Sequence, residues 1–164
     1  MVSSGDEIAV IDPGDEADLI MSELKKTGKK LKYIINTHHH FDHTTENGKI
    51  RRQTGAKVLI CEDEKDYIDF QADRFLKEGD EIKIGDDVLN VIITPGHSEG
   101  SICLIGENII FTGDTLFRDG FGRTDLKGGD AAKMEESLER LSKIIKPEMM
   151  IYPGHGEYFD IMDY

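Results

Sequence analysis

The sequence is poor in cysteine and has no long apolar stretch, and each shortage excludes a class of protein. Two cysteines occur among the 164 residues, Cys61 and Cys103, and both lie inside apolar runs. Such positions are typical of buried, unreactive thiols in a cytosolic protein rather than of a disulfide scaffold. No apolar run approaches the ~20 residues that a membrane-spanning helix needs. We therefore expect no membrane partner.

Basic residues are also scarce. Lysine and arginine number 20 against 33 aspartates and glutamates, which gives a net charge of −13. This balance argues against binding to a nucleic-acid backbone, which requires clustered cations. The chain starts with MVSSGDEIAV, which has neither the basic segment nor the apolar segment of a secretory signal. We expect a cytoplasmic protein, and its length predicts a single domain over residues 1–164.

Apolar segments with strand and helix periodicity alternate along the chain, and this alternation predicts an α/β sandwich. A helix is expected to begin at a cap on Asp15 and to end at Gly28, and another is expected to begin at Asp130. A further helix is predicted over residues 44–54. Strands are predicted at residues 8–11, 32–36, 57–61, 81–84, 88–94, 101–105, 108–112 and 149–152.

Histidines and aspartates follow several of these strands directly. The strand at 32–36 runs into THHHFDH, the strands at 88–94 and 149–152 run into Pro-Gly-His turns, and the strand at 108–112 runs into Gly-Asp. Side chains at the carboxyl ends of strands in an open sheet converge on one edge. The residues in question are His38, His40, Asp42, His43, His97, Asp114 and His155.

Imidazole and carboxylate groups are ligands for zinc, iron or manganese, whereas closed structural zinc sites use thiolates. No cysteine lies in these turns, so a zinc ribbon is excluded. His38 and His40 alternate along an extended segment, while Asp42 and His43 lie where the chain turns into a helix. Their different directions predict two metal ions rather than one. Asp12 is expected to cap a turn beneath the site.

The motifs THHHFDH, TPGHSEGS, FTGDTLF and YPGHG resemble, in order, those of the metallo-β-lactamase superfamily, and the glyoxalase II group of hydroxyacylglutathione hydrolases is the most similar within it. The resemblance covers nearly the whole chain. It implies a four-layer αββα sandwich. It also implies that His38, His40 and His97 hold one metal and that Asp114 bridges to a second. The ligands of that second metal would be Asp42, His43 and His155.

The resemblance implies a metal-dependent thioester hydrolase with two divalent ions, of which zinc is favoured over iron or manganese. A hydroxide shared by the two ions would attack a small-molecule thioester, and Asp42 would take its proton. His39, the sixth histidine, is expected to lie beside the site or at the surface.

Two other functions remain open at this point. His38, His97 and Asp114 alone would form the 2-His-1-carboxylate set of an iron oxygenase, and residues 122–125 (GRTD) resemble a loop of the persulfide dioxygenases. A metal-binding module without turnover is the second alternative. Arg123 in this loop is a candidate to bind a substrate carboxylate, or else to pair with Asp125 or Asp119.

Several features depart from the glyoxalase II pattern. The chain ends nine residues after His155, without the helical domain that helps to bind glutathione. It begins near the second strand of the usual fold, so we expect a truncated N-terminal strand region and an open sheet edge that would suit a homodimer. Thr45 and Glu46 replace glycines, and Glu99 replaces a proline. These changes put bulk and negative charge near the metals and argue against glutathione more than against the metal site.

Overall fold

Two β-sheets of five strands each form the centre of the protein in a computed structural model that describes residues 1–161. In the first sheet, the short strand at Val2–Ser4 pairs antiparallel with the strand at Glu7–Ile11, and the other neighbouring strands are parallel. The order across this sheet is β1 (Val2–Ser4), β2 (Glu7–Ile11), β3 (Lys30–Ile35), β4 (Lys57–Cys61) and β5 (Arg74–Leu76).

The second sheet is antiparallel except at one edge, where the last strand runs parallel to its neighbour. Its order is β10 (Met150–Pro153), β9 (Ile109–Gly113), β8 (Ile102–Ile105), β7 (Asp87–Ile93) and β6 (Glu81–Ile84). In β6 every second residue is buried, as expected for a strand with one face on the core and one in water.

The main core lies between the two sheets. Ile35 and Leu59 of the first sheet meet Leu89, Ile102 and Leu104 of the second, and all five side chains are almost inaccessible to solvent. Burying apolar surface of this kind supplies the largest favourable contribution to folding. Both faces are covered at the end of β3 and along β4, which explains why Ile34 and Ile35 and residues 58–61 are apolar without alternation.

Helices cover the outer face of each sheet. Leu24 and Ile50 pack on the first sheet, and Leu141 packs on the second. The predicted four-layer αββα arrangement is therefore confirmed. The helices are α1 (Ala17–Thr27), α2 (Phe41–Thr44), α3 (Asn47–Thr54) and α4 (Ala131–Ile144).

Two details of the predicted helices are wrong. The Asp15 carboxylate accepts a hydrogen bond from the adjacent Glu16 N–H at 2.7 Å, and Glu16 takes the cap position in a left-handed conformation with φ 57°. Asp15 is thus not the helix cap. The helix predicted over 44–54 is two helices, because the chain bends at Thr45 and Glu46, where the Glu46 N–H donates to the Pro13 carbonyl at 3.0 Å.

The remaining differences concern sheet edges. β1 and β5 have three residues each, too few for a periodic signal, and neither was expected from the sequence. β2 is therefore not an edge strand, since β1 pairs along it.

Cys61 and Cys103 are fully buried free thiols, as predicted, and burial raises their pKa values to about 11 and about 12. No helix within residues 1–161 has the length and apolar character needed to span a bilayer.

The cap of α4 gives a test of the helix assignments. The Asp130 carboxylate accepts hydrogen bonds from the N–H groups of Ala132 and Lys133 at 2.9 and 3.1 Å, so Asp130→Ala should lower the free energy of unfolding by about 1 kcal/mol. Asp15→Ala is the matched control and should cost less, because Asp15 caps no helix. Urea denaturation measures both. An equal loss in the two variants would contradict the assignment.

Candidate metal centre

All seven predicted ligand side chains lie together at one edge of the sandwich. Residues 38–43 follow β3, and His97, Asp114 and His155 follow β7, β9 and β10. Six of the seven form two groups in which the nitrogen and oxygen atoms lie within 4.8 Å of one another. The first group is His38, His40 and His97, and the second is Asp42, His43 and His155.

In the first group His38 and His97 are buried and His40 is half-buried. The Thr37 hydroxyl donates to Asp12 Oδ2 at 2.6 Å, so His38 Nδ1 must donate to Thr37 Oγ1 at 3.1 Å. His38 Nε2 then carries a lone pair, and this buried atom has no hydrogen-bond partner within residues 1–161. His97 Nδ1 donates to the Arg123 carbonyl at 2.7 Å. The other ring nitrogen, His97 Nε2, therefore carries a lone pair, and it lies 2.9 Å from His40 Nδ1.

The second group is more exposed and contains the carboxylate of Asp42. His43 Nε2 and His155 Nε2 are 3.2 Å apart, and His155 Nε2 lies 3.2 Å from Asp42 Oδ2. On its other side, His43 Nδ1 lies 3.0 Å from Asp12 Oδ2. A carboxylate behind the ring orients a metal-binding histidine in many proteins. Asp12 therefore lies beneath the site, as expected, and reaches both Thr37 and His43.

Asp114 lies between the two groups. Its Oδ1 is 3.4 Å from His43 Nε2, and its Oδ2 is 3.4 Å from His97 Nε2. Metal bonds of about 2.1 Å in tetrahedral geometry separate their ligand atoms by about 3.4 Å. Asp114 Oδ1 is buried and has no hydrogen-bond partner within the described chain. The donor atoms and their spacing thus fit two metal ions, although ligation itself stays a prediction.

Glycines let the ligand-bearing turns approach this closely. A Cβ on Gly154 would lie 2.3 Å from Asp114 Oδ1 and 2.7 Å from His43 Cε1. A Cβ on Gly14 would lie 1.4 Å from the Asp42 carbonyl. All three distances are far below van der Waals contact, so no larger residue fits at Gly14 or Gly154.

Burial and mutual repulsion control the protonation of the histidines. Burial, with the neighbouring histidines, holds the pKa of His38 well below its usual value and lowers that of His40 to about 4. Burial alone would also lower the pKa of His43, but the hydrogen bond and charge of Asp12 raise it. Burial raises the pKa of Asp114 against the opposing effect of nearby histidines. His38 and His40 are thus neutral at pH 7, as metal ligands must be.

A fully buried carboxylate, Glu64, connects two of the ligand-bearing turns. Its Oε1 accepts hydrogen bonds from the Ser98 hydroxyl at 2.6 Å and the Gly100 N–H at 2.7 Å, and its Oε2 contacts His39 Nδ1. The His39 ring stacks on Tyr67 with centroids 4.8 Å apart. His39 therefore lies beside the site, as expected, and has a partner there.

Sequence reasoning missed Glu64 and Tyr67. Both lie in the polar segment EDEKDYIDF, in which several acidic residues are equally good candidates for the surface. Only the long-range approach of the 3-10 helix Glu62–Glu64 to the turn after β7 selects Glu64. Nothing in the local pattern distinguishes it from Glu62 or Asp63.

The guanidinium of Arg123 forms an ion pair and is not free. Its Nε and Nη2 donate to the two carboxylate oxygens of Asp125, each at 2.7 Å. Of the two roles open for Arg123, the structure shows the ion pair with Asp125. A role in binding a substrate carboxylate stays a prediction.

The comparisons with known proteins agree with this geometry. Residues 1–155 match the family described as the metallo-beta-lactamase superfamily, and the chain belongs to it. It is 40% identical over 151 residues to a hydroxyacylglutathione hydrolase of Maricaulis maris. It is 32% identical over 149 residues to a probable polyketide biosynthesis zinc-dependent hydrolase, PksB, of Bacillus subtilis. These matches cover 91% and 90% of this chain but only 57% and 66% of those relatives.

Solved structures are similar over nearly the whole chain. The BLEG-1 B3 metallo-beta-lactamase superposes with a TM-score of 0.91 at 27% identity, over 99% of this chain and 90% of that one. TTHA1623, solved in a di-iron-bound form, gives a TM-score of 0.82 at 28% identity, over 92% and 82% of the two chains. The chain therefore has the metallo-β-lactamase fold and is related to metal-dependent hydrolases.

Glu64 gives the first test of the site. Glu64→Ala would leave the Ser98 hydroxyl, the Gly100 N–H and His39 without their buried acceptor, and should lower the free energy of unfolding of the metal-free protein by about 3–5 kcal/mol. Glu64→Gln keeps one oxygen acceptor and should recover most of this loss. Chemical denaturation in the presence of chelator measures both. A stable Glu64→Ala protein would show that the carboxylate does not connect the turns.

Metal removal gives the second test. Ions that bind only the folded protein stabilise it, by about 4 kcal/mol when the free metal is a thousandfold above the dissociation constant. Chelator should therefore lower the melting temperature, and added zinc should restore it. The same treatment should have a smaller effect on His97→Ala, which lacks a ligand of the first group and keeps only the second group intact. Identical melting curves of the wild type with and without chelator would argue against a tight site.

Proposed function

We propose that the protein is a two-metal hydrolase that cleaves small-molecule thioesters in the manner of the hydroxyacylglutathione hydrolases. The position of Asp114 carries this proposal, since its carboxylate lies between the two groups of predicted ligands. Its Oδ1 is 3.4 Å from His43 Nε2, and its Oδ2 is 3.4 Å from His97 Nε2 and 3.6 Å from His155 Nε2. A site for one ion would need only the first group. The second group supports a second ion, because Asp42, His43 and His155 also converge.

Zinc is the metal we favour. The donors are neutral imidazoles and carboxylates, a set that suits zinc well and iron or manganese also. The related PksB is described as zinc-dependent and TTHA1623 was solved with two irons, so the identity of the metal here is a question for direct analysis.

Bound metal ions would polarise the thioester carbonyl and make a water molecule acidic enough to act as the nucleophile near neutral pH. The protein's own contribution is to orient the reacting groups and to accept a proton. Asp42 is suited to the second task, because its side chain is 43% exposed and faces the open cavity beside His155. We assign to its carboxylate the proton that the attacking water loses.

Attack of water on the carbonyl carbon breaks the carbon–sulfur bond and releases a thiolate and a carboxylic acid. A thiolate is a stable leaving group at neutral pH, so the protein need not supply a general acid for it.

The decisive experiment combines metal analysis with two site variants and one control variant. The purified wild type should contain two metal ions per chain and hydrolyse a thioester panel. Asp114→Ala should lose metal from both positions and abolish hydrolysis, whereas Asp119→Ala, an exposed carboxylate in the same loop region, should leave both unchanged. His155→Ala should empty one position and reduce turnover by orders of magnitude, because the nucleophile is then no longer held between two cations.

The alternative functions give different results in the same experiment. An iron oxygenase built on His38, His97 and Asp114 would contain one iron and would still consume oxygen with a persulfide after His155→Ala. A metal-binding module would hold its metals and turn over no substrate. Either result would disprove the thioester proposal.

A further inference from the structure

An open cavity of about 440 Å³ lies directly over the predicted metal centre. This volume is within the ~300–1,000 Å³ range of pockets that bind small molecules. The lining combines predicted ligands with the apolar side chains of Phe41, Phe117 and Leu126 and with Gly122 and Arg123. A substrate in this cavity would therefore contact apolar side chains as well as the predicted metal centre.

The apolar side chains of this lining are in contact with water. The Phe41 side chain is 80% exposed and Leu126 is 40% exposed. The Phe117 ring is half-buried, with its centroid 6.3 Å from that of His155. Adjacent exposed apolar residues beside a polar centre indicate a site that a ligand covers.

Among residues 1–161, the cavity lining offers no free lysine or arginine to a ligand carboxylate. Arg123 is the one lysine or arginine among the residues that line it. Asp125 binds both its Nε and its Nη2 at 2.7 Å, and this pairing lowers the pKa of Asp125 to about 2. An anionic ligand would have to displace Asp125 and would then lie beside its negative charge. The other acids in the lining, Asp42 and Asp114, are predicted metal ligands, so bound cations would offset their charge.

We propose that this cavity binds the apolar, uncharged acyl chain of the thioester against Phe41, Phe117 and Leu126, and that it lacks a subsite for an anionic thiol carrier such as glutathione. The inference rests on the proposed function, since the acyl carbonyl must lie at the metals. Glutathione carries two carboxylates, and the surrounding protein has a net charge of −13. The negative charge of glutathione and the negative charge of the protein therefore repel each other and oppose binding.

Binding of unreactive analogues tests the inference without requiring hydrolysis. Thioethers of N-acetylcysteamine that carry methyl, propyl or hexyl groups are neutral and differ only in the length of the apolar chain. Their dissociation constants, measured by calorimetry on the metal-loaded protein, should fall with chain length, by at most about fourfold per methylene. Equal affinity for the three compounds would overturn the inference.

Two variants test where the alkyl chain of the analogue binds. Phe41→Ala and Leu126→Ala should each weaken binding of the hexyl compound severalfold and reduce the difference between hexyl and methyl. Both side chains are exposed, so the variants should fold normally. Phe75→Ala is the matched control, since this phenylalanine is 41% exposed on β5 and lies outside the cavity. Wild-type affinity in both cavity variants would place the chain elsewhere and overturn the inference.

Charge is tested with S-hexylglutathione, which has the same alkyl chain on an anionic carrier. The wild type should bind it more weakly than the neutral hexyl compound. Asp125→Asn releases Arg123 and should strengthen binding of S-hexylglutathione severalfold while leaving the neutral compound unchanged. Tighter binding of S-hexylglutathione by the wild type, lost in Arg123→Gln, would show that Arg123 binds a substrate carboxylate and would overturn the inference.

The two proposals fail in different ways. Chain-length-dependent binding by a protein that hydrolyses no thioester would disprove the proposed reaction and leave the apolar subsite established. Hydrolysis that is fastest with a glutathione thioester and unaffected by Phe41→Ala would establish the reaction and disprove the subsite.

Discussion

The carboxylate of Asp114 is the constraint on which the metal centre depends. It is buried between two groups of imidazoles, and one of its oxygens has no hydrogen-bond partner within the described residues. An unpaired buried charge is costly, and burial accordingly raises the pKa of Asp114. Bound cations would remove this cost, so the same arrangement that destabilises the empty site favours its occupation.

Behind two of the predicted ligands, hydrogen bonds determine where the ring points. Thr37, which donates to Asp12, accepts from His38 Nδ1, and the Arg123 carbonyl accepts from His97 Nδ1. Each of these bonds fixes the nitrogen that faces away from the centre, so the nitrogen that faces the centre carries a lone pair. The positions of the predicted ligands therefore depend on residues that would bind no metal themselves, as is general for such sites.

Sequence patterns predicted the parts of the fold that repeat locally. The apolar strands, the Pro-Gly-His turns and the cap at Asp130 all have local signals, and the structure confirms the strands and the cap. The short strands β1 and β5 and the role of Glu64 depend on contacts between distant segments, and no local pattern encodes them. Asp15 resembles a helix cap in sequence, but Glu16 takes the cap position.

Arg123 shows why a motif does not determine specificity. In sequence it is a cation near the metals, and a carboxylate on the substrate is a reasonable partner for it. In the structure Asp125, two residues later, neutralises it with two hydrogen bonds. An exposed pair of this kind contributes little to stability, but it cancels the positive charge at the mouth of the cavity. The exposed apolar surface of Phe41 and Leu126 lies beside the predicted ligands, and recognition by such a surface depends on the length and shape of a small molecule rather than on its charge.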